Sequence, residues 1–210
     1  MESQEQRERQ GSRAERRARR TRALLEQALW ELLRQRRFED ITIQDIAELA
    51  DVNRSTFYAY FPDKYALLES ALREQFRLAL SERFPATDGR WDATSVRALI
   101  RSSYEFITEV QRLSTPFDTY MELLLGKLVQ GELKAILSEW LGRASGSDGP
   151  AQGRLKTVVS AASWVILGTV IEWTFQQAFD EETLSPDAIT DQVFLILTEG
   201  VARLAPELLR

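Results

Sequence analysis

The 210-residue sequence contains neither cysteine nor histidine. Without cysteine there is no disulfide framework, no thiolate nucleophile and no Cys-ligated zinc. Without histidine the commonest general base and the commonest transition-metal ligand are both missing. Carboxylate and lysine chemistry would survive, but no paired-carboxylate arrangement, metal cluster or phosphate-binding glycine loop stands out. The composition therefore argues against an enzyme, and no cofactor or metal is expected. Also missing are an uncharged apolar run of about 18 residues and a signal peptide with an apolar centre. A cytoplasmic protein with no membrane partner is expected.

Charge is present in quantity but unevenly placed. The net charge is −5. Yet residues 7–22 hold eight arginines (Arg7, Arg9, Arg13, Arg16, Arg17, Arg19, Arg20, Arg22) against Glu8 and Glu15. The remainder is correspondingly acidic. Such a division suits a basic end that faces phosphate and an acidic body that faces solvent.

The stretch from Thr42 to Lys64, TIQDIAELADVNRSTFYAYFPDK, carries the most information. Thr42 can cap a helix and Asp45, three residues on, can close a capping box. Ile46, Ala47 and Ala50 give that helix an apolar side. Asp51-Val52-Asn53 breaks the pattern, and Asn53 can cap a second helix bearing Arg54, Ser55, Thr56, Phe57, Tyr58 and Tyr60. Two short helices joined by a turn of three to four residues, the second rich in polar groups, describe a helix-turn-helix.

The same residues carry a resemblance. Ile46-Ala47-x-x-Ala50-x-Val52, followed by Thr56-Phe57-Tyr58-x-Tyr60-Phe61-x-x-Lys64-x-x-Leu67-Leu68, resembles the DNA-binding signature of the TetR family of transcriptional regulators over about residues 17–68. Asp51 departs from it, standing where the family usually has glycine, although Asp tolerates a left-handed backbone better than most residues. Phe57 is expected to fill the core of the head. Gln44, Arg54, Ser55 and Thr56 are expected near the helix starts, where base edges become reachable, and Arg54 could pair with guanine O6 and N7. The resemblance implies phosphate contacts at Thr42, Tyr58, Tyr60 and Lys64, which fix register without reading sequence.

Along the chain, residues 1–15 read as a disordered basic arm and 16–64 as the helix-turn-helix domain. Residues 65–210 read as an α-helical ligand-binding and dimerisation domain. The first helix is expected from about Arg16 to Arg36, with Leu24-Leu25, Ala28-Leu29 and Leu32-Leu33 as its apolar stripe. A fourth should run from Asp63-Lys64 to about Phe84, joining head to body. Further helices are expected over 92–113, 117–126 and 129–143, with 144–150 a loop by composition. No strand alternation is sustained, so the fold class is all-α.

Two segments, about 155–179 and 186–204, are apolar nearly all the way round. A helix apolar on every side must be buried on every side. A homodimer through these two helices is therefore expected, as the resemblance also implies. TetR-like bodies hold a small-molecule pocket, and this body offers Tyr104, Phe117, Tyr120, Met121, Trp140 and Trp164 as aromatic or apolar lining. Glu172 is a lone charge in an apolar run, expected to be exposed or to pair with an arginine across the dimer interface before it would contact a cationic effector. The expected protein is a TetR-like regulator that binds a pseudo-palindromic DNA operator as a dimer. It would act as a repressor, released by a small apolar or cationic effector. The alternative is a DNA-bound adaptor of the same fold that docks another protein and takes no effector.

Overall fold

A computed structural model describes the backbone of residues 2–83, 90–113, 119–142, 149–177 and 184–206. Its side chains are described for 14–82, 90–113, 120–142, 152–174 and 184–206. Among the described residues there are helices and no strands, so the all-α expectation holds. In chain order they are α1 (Glu2–Leu33), a 3-10 turn (Phe38–Asp40), α2 (Ile43–Leu49), α3 (Arg54–Tyr60) and α4 (Lys64–Arg83). Then come α5 (Ala93–Leu113), α6 (Thr119–Gly142), α7 (Gly149–Gln177) and α8 (Pro186–Leu204). Residues Met1–Ala71 belong to one compact unit, and Leu72–Arg112 with Thr119–Arg210 form another. The boundary thus falls inside α4.

The first unit is a three-helix head with the start of α4 packed on it. Leu25, Leu29, Ile41, Ile46, Phe57, Leu67 and Leu68 are fully buried there. Glu26 on α1 accepts a hydrogen bond from Ser70 Oγ on α4 at 2.7 Å. The first helix differs from expectation at both ends: it begins at Glu2 rather than near Arg16, and it stops at Leu33 rather than Arg36. The early residues are mostly Glu, Gln and Arg, good helix formers with no proline among them, so local propensity continues the helix without an apolar stripe.

In the second unit α5 presents Val96, Leu99, Ile100, Phe106, Ile107 and Val110 to the interior. Arg97 and Arg101 bind Asp191 and Asp187 of α8 at 2.7 and 2.6 Å. Arg73 of α4 binds Glu132 of α6 at 2.6 Å. The break expected after Gly126 is absent, and α6 is one helix. Leu125, Leu128, Val129 and Leu133 keep a buried stripe running through the glycine, which lowers helix stability but does not end a helix whose face is packed. The next helix starts earlier than expected, at Gly149, because Pro150 is tolerated in a first turn. Within α7, Gln152–Thr174 is long and apolar enough to cross a membrane. One side of it, including Ile166, Leu167, Val170 and Trp173, is nevertheless buried in the unit, as in a bundle helix.

Candidate DNA-binding site

Both short helices of the head depend on their caps, since seven residues cannot sustain a helix by propagation alone. At the start of α2 the Thr42 N–H and Oγ1 donate to Asp45 Oδ2 at 2.8 and 2.7 Å, and the Asp45 N–H donates to Thr42 Oγ1 at 3.1 Å. This is a complete capping box. The Thr42 hydrogen bonds hold the Asp45 carboxyl below its ordinary range, with Arg36 at 3.5 Å adding to the effect.

The turn closes with equal economy. The Asp51 N–H donates to Glu48 O and the Val52 N–H to Ala47 O, the paired bonds of a Schellman motif. Asp51 occupies its left-handed position at φ 53°. A residue other than glycine at that position costs about 1 kcal/mol. The turn forms with Asp51 in it, as its tolerance for this conformation leads one to expect.

Asn53 then caps α3. Its Oδ1 accepts from the Thr56 N–H at 2.7 Å, the Ser55 hydroxyl at 2.6 Å and the Thr56 hydroxyl at 2.9 Å. With their protons so directed, Ser55 and Thr56 can offer DNA only acceptor lone pairs. Phe57 is fully buried in the head, as expected. On the outer face Arg54 and Tyr58 are a matched pair. The Arg54 guanidinium donates to Tyr58 Oη at 3.2 Å and lies 5.7 Å from the ring centre. Gln44 is exposed on α2 and donates to Glu48.

Thr42, Gln44, Arg54, Ser55 and Tyr58 are thus outward-facing, while Thr56 and Tyr60 are half-buried. Lys64 is half-buried at the start of α4. Its ammonium donates to Phe38 O, Glu39 O and Ile41 O at 2.9, 3.0 and 2.8 Å. An ammonium has three N–H donors, and three carbonyls take them.

An open groove of about 740 Å³ runs between α1 and the turn, lined by Ala14, Arg17 and Thr21 on one side and by Asp51, Ser55 and Tyr60 among others opposite. Arg17 belongs to the arginine run of the sequence, whereas Thr21 carries no charge to draw attention to it. Their spacing with Ala14, at i, i+3 and i+7, was the available signal, since it sets all three on one helix face.

Residues 25–71 match the family model for bacterial regulatory proteins of the tetR family. Residues 25–71 thus carry the DNA-binding segment of the TetR family. Over 52 residues it is 36% identical to the uncharacterized HTH-type transcriptional regulator YxbF of Bacillus subtilis strain 168. That aligned stretch is 25% of this chain and 14% of that protein. Two solved structures are similar along most of the chain. One is a tetR-family transcriptional regulator from Streptomyces coelicolor, with a TM-score of 0.54 and 20% identity, covering 90% of this chain and 84% of that one. The other is the regulator FadR from Bacillus subtilis in complex with stearoyl-CoA, with a TM-score of 0.51 and 18% identity, covering 85% and 98%. At such identities the likeness is one of fold.

In the body the expected ligand residues that the structure describes differ in burial. Met121 and Trp140 are buried, and the Tyr104 ring packs tilted against Trp173, with ring centres 4.2 Å apart. Tyr120 and Trp164 are instead 42% and 57% exposed, and Glu172 is exposed. The helical period explains the last two. Trp164 lies two residues before buried Ile166 and Glu172 two after buried Val170, about 200° round the helix from each. Phe117 lies outside the described residues. A different apolar groove, of about 180 Å³, runs between α7 and α8 and is lined by Val158, Ala161, Val165, Ile196, Gly200 and Leu204 among others. Beside it Leu195, Ile196 and Leu204 are 56%, 60% and 74% exposed.

Proposed function

We propose that the regulator binds a pseudo-palindromic operator as a homodimer, with the exposed face of α3 reading the major groove. The observation that carries this reading is the outward Arg54–Tyr58 pair on a helix fixed at both ends by hydrogen-bonded caps. Arg54 discriminates base edges, Gln44 and Ser55 add polar contacts, and Tyr58 and Thr42 meet phosphate. The arginines of α1 supply attraction that is independent of sequence.

Dimerisation is supported by the uncovered apolar surface of α7 and α8. A partner laying the same two helices on it would bury Leu195, Ile196 and Leu204. The Cβ position at Gly200 meets nothing within 4 Å, so another backbone could approach there. A small apolar effector held in the body completes the reading, and it regulates by preferring the arrangement that releases DNA. Release of a repressor is the family expectation for the sign. A second reading, a DNA-bound adaptor without effector, draws on outward Tyr120 and Leu123 of α6, which could dock another protein.

Selection of DNA from a random pool tests the reading. Enrichment of inverted half-sites whose centres lie about one helical turn, or a multiple, apart is the expected result. Single half-sites, or no enrichment, would count against a dimeric DNA binder. Arg54→Ala should relax preference at one base pair by roughly 1–3 kcal/mol. Equal weakening on all sequences would make Arg54 a phosphate contact instead. Thermal shift with long-chain acyl and cationic compounds separates effector from adaptor, the adaptor showing no shift.

A further inference from the structure

We infer that Lys64 acts in DNA binding as a positioning residue that holds the start of α2 against α4, and not as a phosphate ligand. The inference rests on the DNA-binding reading above and concerns how the head is aligned. Lys64 is the first residue of α4, and the Asp63 side chain caps that helix by accepting from the Ala66 N–H at 2.8 Å. From this fixed origin the half-buried side chain reaches back 23 to 26 residues to the connector before α2. There its ammonium meets the carbonyls of Phe38, Glu39 and Ile41, which belong to a 3-10 turn and the residue closing it. The Phe38 carbonyl also accepts the Ile41 N–H at 3.2 Å, which closes the turn, and carbonyls at the end of a helical turn are the ones left to outside donors.

Two rings complete the cage. The Lys64 Nζ lies 4.7 Å from the centre of the Phe38 ring and 5.8 Å from that of Tyr65. The rings themselves meet edge to face at 5.4 Å. Cation–π attraction and three carbonyl dipoles all favour the charged ammonium in this spot. Ile41, one of the three acceptors, directly precedes Thr42, the cap of α2. Displacing the connector therefore displaces Thr42 and Gln44 together. To reach a phosphate, Lys64 would have to surrender at least one of these bonds.

The test uses the full chain and a duplex chosen by the selection above. Lys64→Met keeps the stem and removes the donors. Lys64→Arg keeps the charge but presents a planar fork that cannot aim three donors at converging carbonyls. Both variants should lower the thermal midpoint by roughly 4–8 °C. Both should weaken DNA binding by about tenfold, with the slope of log affinity against log salt unchanged. A phosphate ligand predicts otherwise: Lys64→Met lowers that slope by about 0.9, Lys64→Arg behaves as wild type, and neither midpoint moves. That pattern overturns the inference. Failure of both variants to fold supports the clasp, because an exposed phosphate ligand is not needed for folding. If the wild-type chain itself enriches no DNA, it is the underlying DNA-binding reading that falls, and the role of Lys64 falls with it.

Discussion

The head and the body of this protein are both helical, but they make their helices in opposite ways. In the head, α2 and α3 have seven residues each, and side-chain caps and a Schellman turn secure their ends. In the body, α5 to α8 have 19 to 29 residues and take their stability from buried apolar faces. The difference teaches where information sits. Caps need particular residues at particular offsets, whereas a buried face needs only apolar groups at the right period. A short helix that must present a fixed surface calls for the first kind of control.

The largest effect should follow from removing the aromatic that α3 buries in the head core. Phe57 is fully buried, so Phe57→Ala should cost about 3–5 kcal/mol through lost burial and the remaining cavity. Segment-resolved amide hydrogen exchange is the measurement. Protection should fall across residues 25–68 while α6 and α7 keep theirs. Equal loss in both regions would dissolve the contrast between the two units.

That contrast also explains what could be read in advance. Thr42, Asp45, Asn53 and Phe57 were legible because each plays a local role that depends on spacing within four residues or on an isolated aromatic. The extension of α1 to Glu2 was not, since residues without an apolar stripe resemble a disordered tail even where their propensity favours a helix. Gly126 misled in the other direction, because a glycine signal was outweighed by packing contacts that lie far apart in sequence. Aromaticity or charge within an apolar run does not tell which way a helix is turned, and Trp164 and Glu172 both prove exposed. Lys64 shows a further limit, since its acceptors are backbone carbonyls more than twenty residues away.

Two substitutions of opposite chemistry sharpen the comparison at a smaller scale. In the head a side chain sits where glycine would be easier, at Asp51 with φ 53°. In the body a glycine sits where a side chain would be easier, at Gly126 inside α6, with nothing within 4 Å of its would-be Cβ. Asp51→Gly should stabilise the head by roughly 0.5–1 kcal/mol, and removing a carboxylate from the groove beside Arg17 should also tighten DNA binding at low salt. Gly126→Ala should stabilise the body by a similar amount, about 0.5–1 kcal/mol, by raising helix propensity. Urea midpoints measure both. A destabilised Gly126→Ala would mean that α6 does break there after all.

The smallest effect is one of pH, and it belongs to the head alone. Asp45 has its pKa lowered from 3.8, first by the Thr42 side-chain hydrogen bond and then by the Thr42 backbone one, with Arg36 contributing. A carboxyl depressed in the folded state binds protons more readily when unfolded, so its contribution to stability is complete above pH 3.8. It is lost as pH falls through the lowered folded value. Between pH 7 and 5 the capping box should therefore be indifferent to pH. The stability gap between wild type and Asp45→Asn, followed by hydrogen exchange in α2, should be constant over that range and close below pH 4. A gap that narrowed already between pH 6 and 5 would mean that the capping box is not held by an ionised Asp45, and that the head relies on packing much as the body does.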